Sequence, residues 1–470
     1  MSFTTVPVEI TGASYPSISR PLSSQETRNF YQEVNKGGKD QFTLMSFPGL
    51  TLFGVGEGKD RGVHEMAEVL YRVADTTLYR VDINGVHTEV GSIPGSGRAI
   101  MADDGENLFI VSELKVWVYN GSTVAQVTDV NINGAKSVAF INNTFLYTKD
   151  KFTTVSTTGD GTTASGLDII GAESDPDDLV RDYVFKQSIY RMGERTIEVW
   201  YFSGSGRPPI ERLEGQIFQV GLAAIHSPAQ TDNAMYWLGD DRRVYLANGG
   251  TIIEVTNLAI AAEMQTYSKV DDAVGFTFTI QGQNFYAITF PSEGKTWVMN
   301  ESLQADGWFQ LASGTDGSIY PCSSLQWIYG KNILADAITG DLYELDFNNY
   351  TLNGEVFQRR RVTGTVDGNT LGVRGSRVQM SRIELIMETG IGLINGQGEN
   401  PQIMIEISLD GGKTWKHGKF ARVGRLGETM IRVEYFGLHT FYEMCMRLTT
   451  SDPVPYYIYN GSVDLRLAGR

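Results

Sequence analysis

The residues that could do chemistry in this 470-residue chain are scattered rather than assembled. A nucleophile elbow needs G-x-S-x-G and a helical zinc site needs H-E-x-x-H, and neither pattern occurs. Gly294-Lys295-Thr296 ends like a phosphate-binding loop but lacks the earlier glycine that lets the backbone cradle phosphates. The five histidines, His64, His87, His226, His417 and His439, stand singly, which fits structural roles better than metal ligation or base catalysis. The two cysteines, Cys322 and Cys445, are too few and too far apart for a disulfide scaffold or a cysteine zinc cluster. Both are expected as small buried hydrophobes. Residues 171–182 (GAESDPDDLVRD) gather carboxylates around a proline without the one-three-five spacing and central glycine of a calcium loop, so a solvated turn is expected. Glycosidase carboxylate pairs come from distant segments, and among 55 acidic residues no pair is marked out. No catalytic residue, metal or cofactor is assigned, and the chain reads as a non-enzyme.

Two local patterns stand out. Ser408-Leu409-Asp410-Gly411-Gly412-Lys413-Thr414-Trp415 matches the Asp-box S-x-D-x-G-x-T-W. In it Asp410 can hold backbone N–H groups inside a hairpin turn, Gly412 permits the bend, and Trp415 packs the turn onto a sheet. Asp-boxes of sialidase propellers lie away from the catalytic centre, and this single copy reads as a folding staple formed by Ser408, Asp410, Gly412, Thr414 and Trp415. The second pattern is a basic stretch, Arg359, Arg360, Arg361, Arg374 and Arg377, followed by Arg382, with little acid between. It reads either as a solvated edge that discourages strand-to-strand pairing or as a segment facing an acidic partner or DNA phosphates. Trp237 and Trp308 could stack on sugar rings, although core packing accounts for them more simply.

The elements that must position these residues are strands. Glycine is abundant (52 residues), aromatics make up 11%, and Val, Ile, Thr, Tyr and Phe dominate the apolar runs. A two-strand unit recurs at residues 70–81 (LYRVADTTLYRV), 109–119 (FIVSELKVWVY), 145–156 (FLYTKDKFTTVS), 189–201 (IYRMGERTIEVWY), 235–247 (MYWLGDDRRVYLA), 285–299 (FYAITFPSEGKTWVM) and 333–345 (ILADAITGDLYEL). Hairpin turns fall at Asp75, Gly193-Glu194, Asp240-Asp241, Glu293-Gly294 and Thr339-Gly340. The spacing is close to the ~40–50-residue period of propeller blades. One hairpin cannot bury its apolar face alone, whereas four-stranded sheets arranged radially bury both faces. The fold class is therefore all-β. A propeller of six or seven blades over residues 61–355 follows an N-terminal arm with entry strands (1–60). Evenly spaced strands also fit a large sandwich. One short helix is expected within 257–269. After about residue 355 the rhythm changes to longer alternating strands at 380–387, 402–408, 429–435 and 443–449, with 456–467 closing around an Asn460-Gly461 turn. These predict a C-terminal antiparallel β-sandwich over 356–470.

The formal net charge of −16 repels phosphate at long range and disfavours sequence-specific DNA binding, which leans on a dense basic face. A conduit through which DNA slides without sticking is compatible with it. The N-terminal MSFTTVPVEITG lacks the basic region and apolar run of a signal peptide, and no stretch approaches the ~20 apolar residues of a membrane span. Synthesis in the cytoplasm without membrane insertion is expected.

A series of short motifs then falls in a familiar order. Gly12-Ala13-Ser14-Tyr15-Pro16, Ser24-Gln25-Glu26-Thr27, Asn29-Phe30-Tyr31-Gln32-Glu33 and Phe47-Pro48-Gly49-Leu50-Thr51 resemble the opening of the tail hub proteins of short-tailed bacteriophages, also called nozzle or packaged-DNA stabilisation proteins. Arg61-Gly62-Val63, Leu70-Tyr71-Arg72-Val73 and Gly95-Ser96-Gly97-Arg98 continue the likeness. Glu198-Val199-Trp200-Tyr201, Trp237-Leu238-Gly239, Arg242-Arg243-Val244-Tyr245, Phe290-Pro291 and Lys295-Thr296-Trp297 are similar to that family's blade strands, and Ser451-Asp452-Pro453-Val454-Pro455 to its closing turn. Gln32 departs from the pattern, standing where many relatives carry proline. The resemblance implies a structural virion protein of the phage tail, with six copies in a ring below the portal and its adaptor (head-to-tail connector) proteins. Such a hub extends the DNA channel, helps retain packaged DNA, lets double-stranded DNA pass without specific contacts at genome ejection, and anchors tail spikes, fibres or needle. The alternative from another class is a carbohydrate-binding or sialidase-like propeller glycosidase.

Overall fold

In the computed structural model, which describes residues 2–17, 23–35, 41–171 and 177–468, each of the seven recurring hairpins is the middle pair of a four-stranded antiparallel blade. The first strands of blades 1 to 7 are Asp60–Met66, Ile100–Asp103, Ser137–Ile141, Leu179–Phe185, Ala229–Gln230, Val274–Ile280 and Cys322–Ile328. Seven apolar clusters fill the seven gaps between neighbouring blades. Phe109 meets Phe145 and Tyr147 between blades 2 and 3, Met192 and Val199 meet Trp237 between blades 4 and 5, and Leu70 and Val81 meet Ile333 and Leu342 between blades 1 and 7. Each blade thus has both faces covered. That is why a middle strand such as Leu108–Ser112, buried at every position, reads as a continuous apolar run rather than an alternation.

Blade 7 closes the circle with a strand from far away in sequence. Cys322–Ile328, Lys331–Asp336 and Leu342–Asp346 supply three strands, and the fourth is Gly49–Gly54, with Leu50 opposite Leu345 and Gly49 opposite Asp346. The count is seven blades because the first and last hairpins belong to different blades joined by this strand.

The remaining N-terminal strands enter the sandwich. Thr4–Val8 pairs with Tyr457–Leu467, and Phe30–Val34 and Phe42–Ser46 extend the same sheet, which also holds Val378–Met387 and Val433–Phe441. In the other sheet Ser24–Arg28 lies between Trp308–Ser313 of blade 6 and Arg359–Val362, followed by Glu443–Thr450, Gln402–Ser408 and Lys416–Arg422. One sheet therefore runs from blade 6 into the sandwich. The sandwich core joins Val8, Ile10, Phe30 and Leu44 to Ile383, Ile405, Met446 and Val463, so it draws on both ends of the chain.

Two local expectations change. Asn460-Gly461 is not a turn: Tyr457–Leu467 is one continuous strand. A Cβ on Gly461 would lie 2.8 Å from Ile10 Cδ1, so glycine is there for close packing rather than for a bend. Residues 429–432 precede their strand, which begins at Val433. The expected helix is present as Leu258–Gln265, capped by Asn257, whose side chain accepts from Ile260 N at 2.9 Å. Of the acidic segment, residues 172–176 lie outside the described residues. Asp177 accepts from Arg195 N and Thr196 N, and Asp178 pairs with Lys151, so both serve neighbouring loops.

Buried arginines lock blades together. Arg191 in blade 4 donates to Asp182 Oδ1 at 3.2 Å and to the blade 3 carbonyls of Gly171 (2.7 Å) and Ile170 (3.1 Å). Thr148 and Thr153 of blade 3 donate to the same Asp182. Arg72 in blade 1 repeats the device, pairing with Asp60 at 3.1 Å and donating to Gly340 O of blade 7, while Ser324 of blade 7 donates to Asp60 at 2.7 Å. In both cases an Arg–Asp pair in one blade collects the polar groups of the blade before it.

Tight turns carry measurable strain. Glu113 and Leu114 join the middle strands of blade 2 with φ of 48° and 64°, the left-handed pair that a two-residue hairpin requires. A side chain in that region costs about 1–2 kcal/mol. Leu114 is 55% exposed, so its substitution forfeits little burial. Leu114→Gly is expected to raise stability by roughly 0.5–1 kcal/mol, read as a higher urea midpoint at unchanged slope. An unchanged or lower midpoint would mean that the turn is not strained.

Candidate assembly surfaces and the propeller axis

The Asp-box forms the hairpin between Gln402–Ser408 and Lys416–Arg422. Asp410 Oδ1 accepts from Lys413 N (3.0 Å), Thr414 N (2.9 Å) and Ser408 Oγ (2.7 Å), and Oδ2 accepts from Thr414 Oγ1 (2.6 Å). These bonds, that from the Thr414 hydroxyl foremost, hold the Asp410 carboxyl well below the usual carboxylate range. Gly412 has φ of 84°, and a Cβ there would lie 2.8 Å from Ser24 Cβ, so the turn is pressed onto the N-terminal strand. The Arg447 guanidinium lies 4.5 Å from the Trp415 ring centroid. Asp410→Ala removes the acceptor that organises the loop. Limited trypsin digestion is then expected to cut at Lys413 or Lys416 well before any other site, as read by mass spectrometry, whereas the parent chain is not cut there first.

The basic stretch divides. Arg359 and Arg361 are fully buried, so they face neither DNA nor a partner, which corrects that reading for these two residues. Arg361 donates to the backbone carbonyls of Ile10 (2.7 Å), Thr11 (3.2 Å) and Ala13 (3.1 Å), to Thr27 Oγ1 (2.7 Å) and to Gln25 Oε1 (2.8 Å). Arg359 donates to Tyr350 O at 3.1 Å and lies 4.2 Å from the Phe357 ring centroid. Burial pulls both guanidinium groups down to about 10, so they stay charged at neutral pH. Arg361 thereby satisfies carbonyls of the N-terminal segment, and Arg359 those of Tyr350 and Phe47. Arg360 points outward beside Glu26, and Arg374 and Arg377 are exposed. Cys322 and Cys445 are buried, and desolvation pushes both thiols up.

Trp237 and Trp308 are completely buried, Trp308 donating to Val255 O at 2.7 Å, so neither is a sugar platform. Among the described residues no group of three or more His, Cys, Asp and Glu side chains is placed to hold a metal ion.

A surface that composition alone did not reveal lies at one end of the sandwich. The loops 388–401 and 423–432 brace each other, Gly390 N donating to Val423 O and Gly427 N to Gly390 O, both at 3.1 Å. Ile394 (83% exposed), Leu426 (64%) and Met430 (99%) project from these loops, with Arg425 and Glu399 paired at 3.7 Å beside them. Clustered exposed apolar side chains rimmed by charge mark interaction sites. A signal was present in the sequence for Ile394 and Leu426, large apolar residues in glycine-rich segments outside the expected strands, whereas Met430 was hidden within the expected strand 429–435.

On the propeller axis the first strands enclose a cavity of about 670 Å³. His64 Nε2 lies 2.7 Å from Asp103 Oδ2 on the neighbouring blade at its wall, and Arg98, Arg181, Tyr183 and His226 also line it. Burial, and then the charges of Arg98 and Arg181, push the His226 imidazole well down. The space is that of a small-molecule pocket, so a DNA duplex cannot thread one propeller.

A family model described as Phage_stabilise: Bacteriophage P22 Gp10, beta-propeller, matches residues 5–350. Comparison with curated proteins gives no match. Similar solved structures include the Neurospora crassa Pan2 WD40 domain (9% identity, 64% of this chain and 96% of that one, TM-score 0.43). BamB from Moraxella catarrhalis gives 10% identity, 74% and 97% coverage and a TM-score of 0.40.

Proposed function

The chain belongs to the family described by the bacteriophage P22 Gp10 β-propeller, and from that membership we propose that it forms the ring-shaped hub, or nozzle, of a short-tailed phage tail. The family match over residues 5–350 carries this reading. The fold suits it physically. Seven blades with filled gaps make a stiff body with few open edges, suited to resisting the pressure of packed DNA.

Because the axial cavity is too small for a duplex, the DNA channel runs between subunits, along the axis of a ring built by a repeated head-to-tail interface. Six copies sit below the portal and adaptor proteins, and tail spikes, fibres or needle attach to the outside. The excess of carboxylates (net charge −16) lets DNA move through without counterion-releasing contacts. The exposed Ile394, Leu426 and Met430 supply part of the contact between copies or with the adaptor.

Cryo-EM of the purified protein, alone and with portal and adaptor proteins, should show a ring with a duplex-wide axial channel. A chain that stays monomeric at high concentration and ignores both partners would sink the proposal. Met430→Asp is expected to weaken ring or adaptor binding strongly while changing monomer stability by less than about 0.5 kcal/mol, as for surface substitutions away from packing. Native mass spectrometry and urea unfolding read the two effects separately.

A further inference from the structure

The outer face of the sheet that runs from blade 6 into the sandwich has the side chains of a protein interface. Register sets Gln310, Arg28, Arg360, Thr449, Met404 and Phe420 side by side across six strands. The neighbouring row is Glu26, Val362, Arg447 and Glu406. Glu26 answers Arg28 at 2.9 Å and Glu406 answers Arg447 at 2.7 Å. Arg360 is matched less well, since it reaches the same Glu26 oxygen only at 3.8 Å. Its Nε and, opposite it in register, Thr449 Oγ1 are buried and have no hydrogen-bond partner. Burial pushes the Arg360 guanidinium down, and Arg28 and Arg447 add to this against the pull of Glu26 and Glu406. Three guanidinium groups thus share two carboxylates. Arg360 and Arg447 line a hollow of about 420 Å³ with Lys413 and Trp415 of the Asp-box hairpin, and Phe420, 68% exposed, continues the row. Arg, Trp, Met and Phe are the types enriched where proteins meet. A free anion would make no use of Met404 and Phe420, so the complement is a protein surface with carboxylates beside apolar side chains.

The chain carries such a surface itself, at the outer seam of blades 7 and 1. Leu52, Val55, Ile83, Val86 and Ile338 are exposed there. Their segments touch: Gly54 lies against Gly85 O and Gly56 against Gly340 O, so closely that neither has room for a side chain. Four carboxylates lie in the same segments, Asp341 on Gly56 N (3.2 Å), Asp75 on Lys59 N (3.0 Å), Asp82 on Val86 N (2.9 Å) and the exposed Glu57, against one cation, Lys59. We propose that the blade 6–sandwich face of one copy docks on the blade 7–blade 1 rim of the next copy. This contact rests on the ring reading above and names the surfaces that build the ring. The two surfaces differ, so the contact is heterologous and repeats head to tail, as a closed ring requires. The arginines meet the rim carboxylates, while Met404 and Phe420 pack against its apolar side chains.

The experiment follows assembly of the full chain by native mass spectrometry, under the conditions in which the parent forms its ring, alone or with portal and adaptor proteins. A face variant carries Lys413→Ser with Phe420→Ser, and a rim variant Val55→Ser with Ile83→Ser. All four positions are exposed, so both variants are expected to keep the parent's urea midpoint. Each is expected to associate with itself about thirty-fold or more weakly than the parent, the scale of a lost hot spot. Mixed in equal amounts they are expected to form a pair and nothing larger, because the rim variant still offers an intact face and the face variant an intact rim. Raising the salt should weaken association of the parent, as for contacts between exposed charges. A ring that forms undiminished from either variant, or a mixture that stays unpaired, would overturn this contact and leave the hub reading in place. A parent chain that forms no ring overturns both.

Discussion

A chain beginning at residue 55 is expected not to reach the folded state. It would lack Gly49–Gly54, leaving Leu342–Asp346 as an open edge in blade 7. It would also lack Tyr31, Phe47 and Leu50 from the core between blades 6 and 7, and Val8, Ile10, Phe30 and Leu44 from the sandwich core. Each large apolar side chain taken from a core costs about 2–5 kcal/mol, and the sum exceeds the ~5–15 kcal/mol that holds a domain together. Arg361 would in addition lose its acceptors on Ile10, Thr11, Ala13, Gln25 and Thr27, and Arg359 would lose the Phe47 carbonyl. Size-exclusion chromatography and urea unfolding monitored by circular dichroism decide the matter. A truncated monomer with the cooperative transition of the full chain would refute the interlocking. The milder Phe47→Ala is expected to cost about 3–5 kcal/mol without abolishing the fold.

Asp182→Ala should destabilise the protein by about 3–5 kcal/mol, the usual cost of leaving one partner of a buried ion pair alone. The side chains of Asp182 and Arg191 are each 1% exposed. Removing the carboxylate strands the guanidinium and takes an acceptor from Thr148 and Thr153, unfastening blade 3 from blade 4. A paired change, Asp182→Leu with Arg191→Met, should cost less than Asp182→Ala alone, because no charge is then left in the core. Denaturant midpoints of the single and double variants test both statements. A loss under about 1 kcal/mol for Asp182→Ala, the range of exposed pairs, would mean that water reaches the site.

What was legible in the sequence was what is local. The hairpins at 70–81 or 189–201 declare themselves because their leading strands, Val69–Ala74 and Ser188–Gly193, are buried at all but one position and a few turn residues join each to the next strand. The number of blades was not legible, since the last depends on Gly49–Gly54 meeting Leu342–Asp346 across nearly three hundred residues. The same non-locality hid the make-up of the sandwich. Asn460-Gly461 has the chemistry of a hairpin turn, yet Tyr457–Leu467 is paired along both sides and Ile10 occupies the space where a side chain would go. The arginine run misled in another way. Consecutive charges suggest a solvated face, but a strand sends alternate residues to opposite sides. Arg359 and Arg361 therefore turn inward together, Arg361 onto carbonyls of the N-terminal segment and Arg359 onto the Tyr350 carbonyl and the Phe357 ring. The Asp-box is local, all of its bonds lying within a few residues.

The weaving of both chain ends into one sandwich also sets a timetable. Thr4–Val8 leaves the ribosome hundreds of residues ahead of its partner strand Tyr457–Leu467. At about 5–20 residues per second the early strands wait roughly 20–90 s for it. Until then their apolar faces stay open to other nascent chains, so subunits can join only after Tyr457–Leu467 has sealed Thr4–Val8.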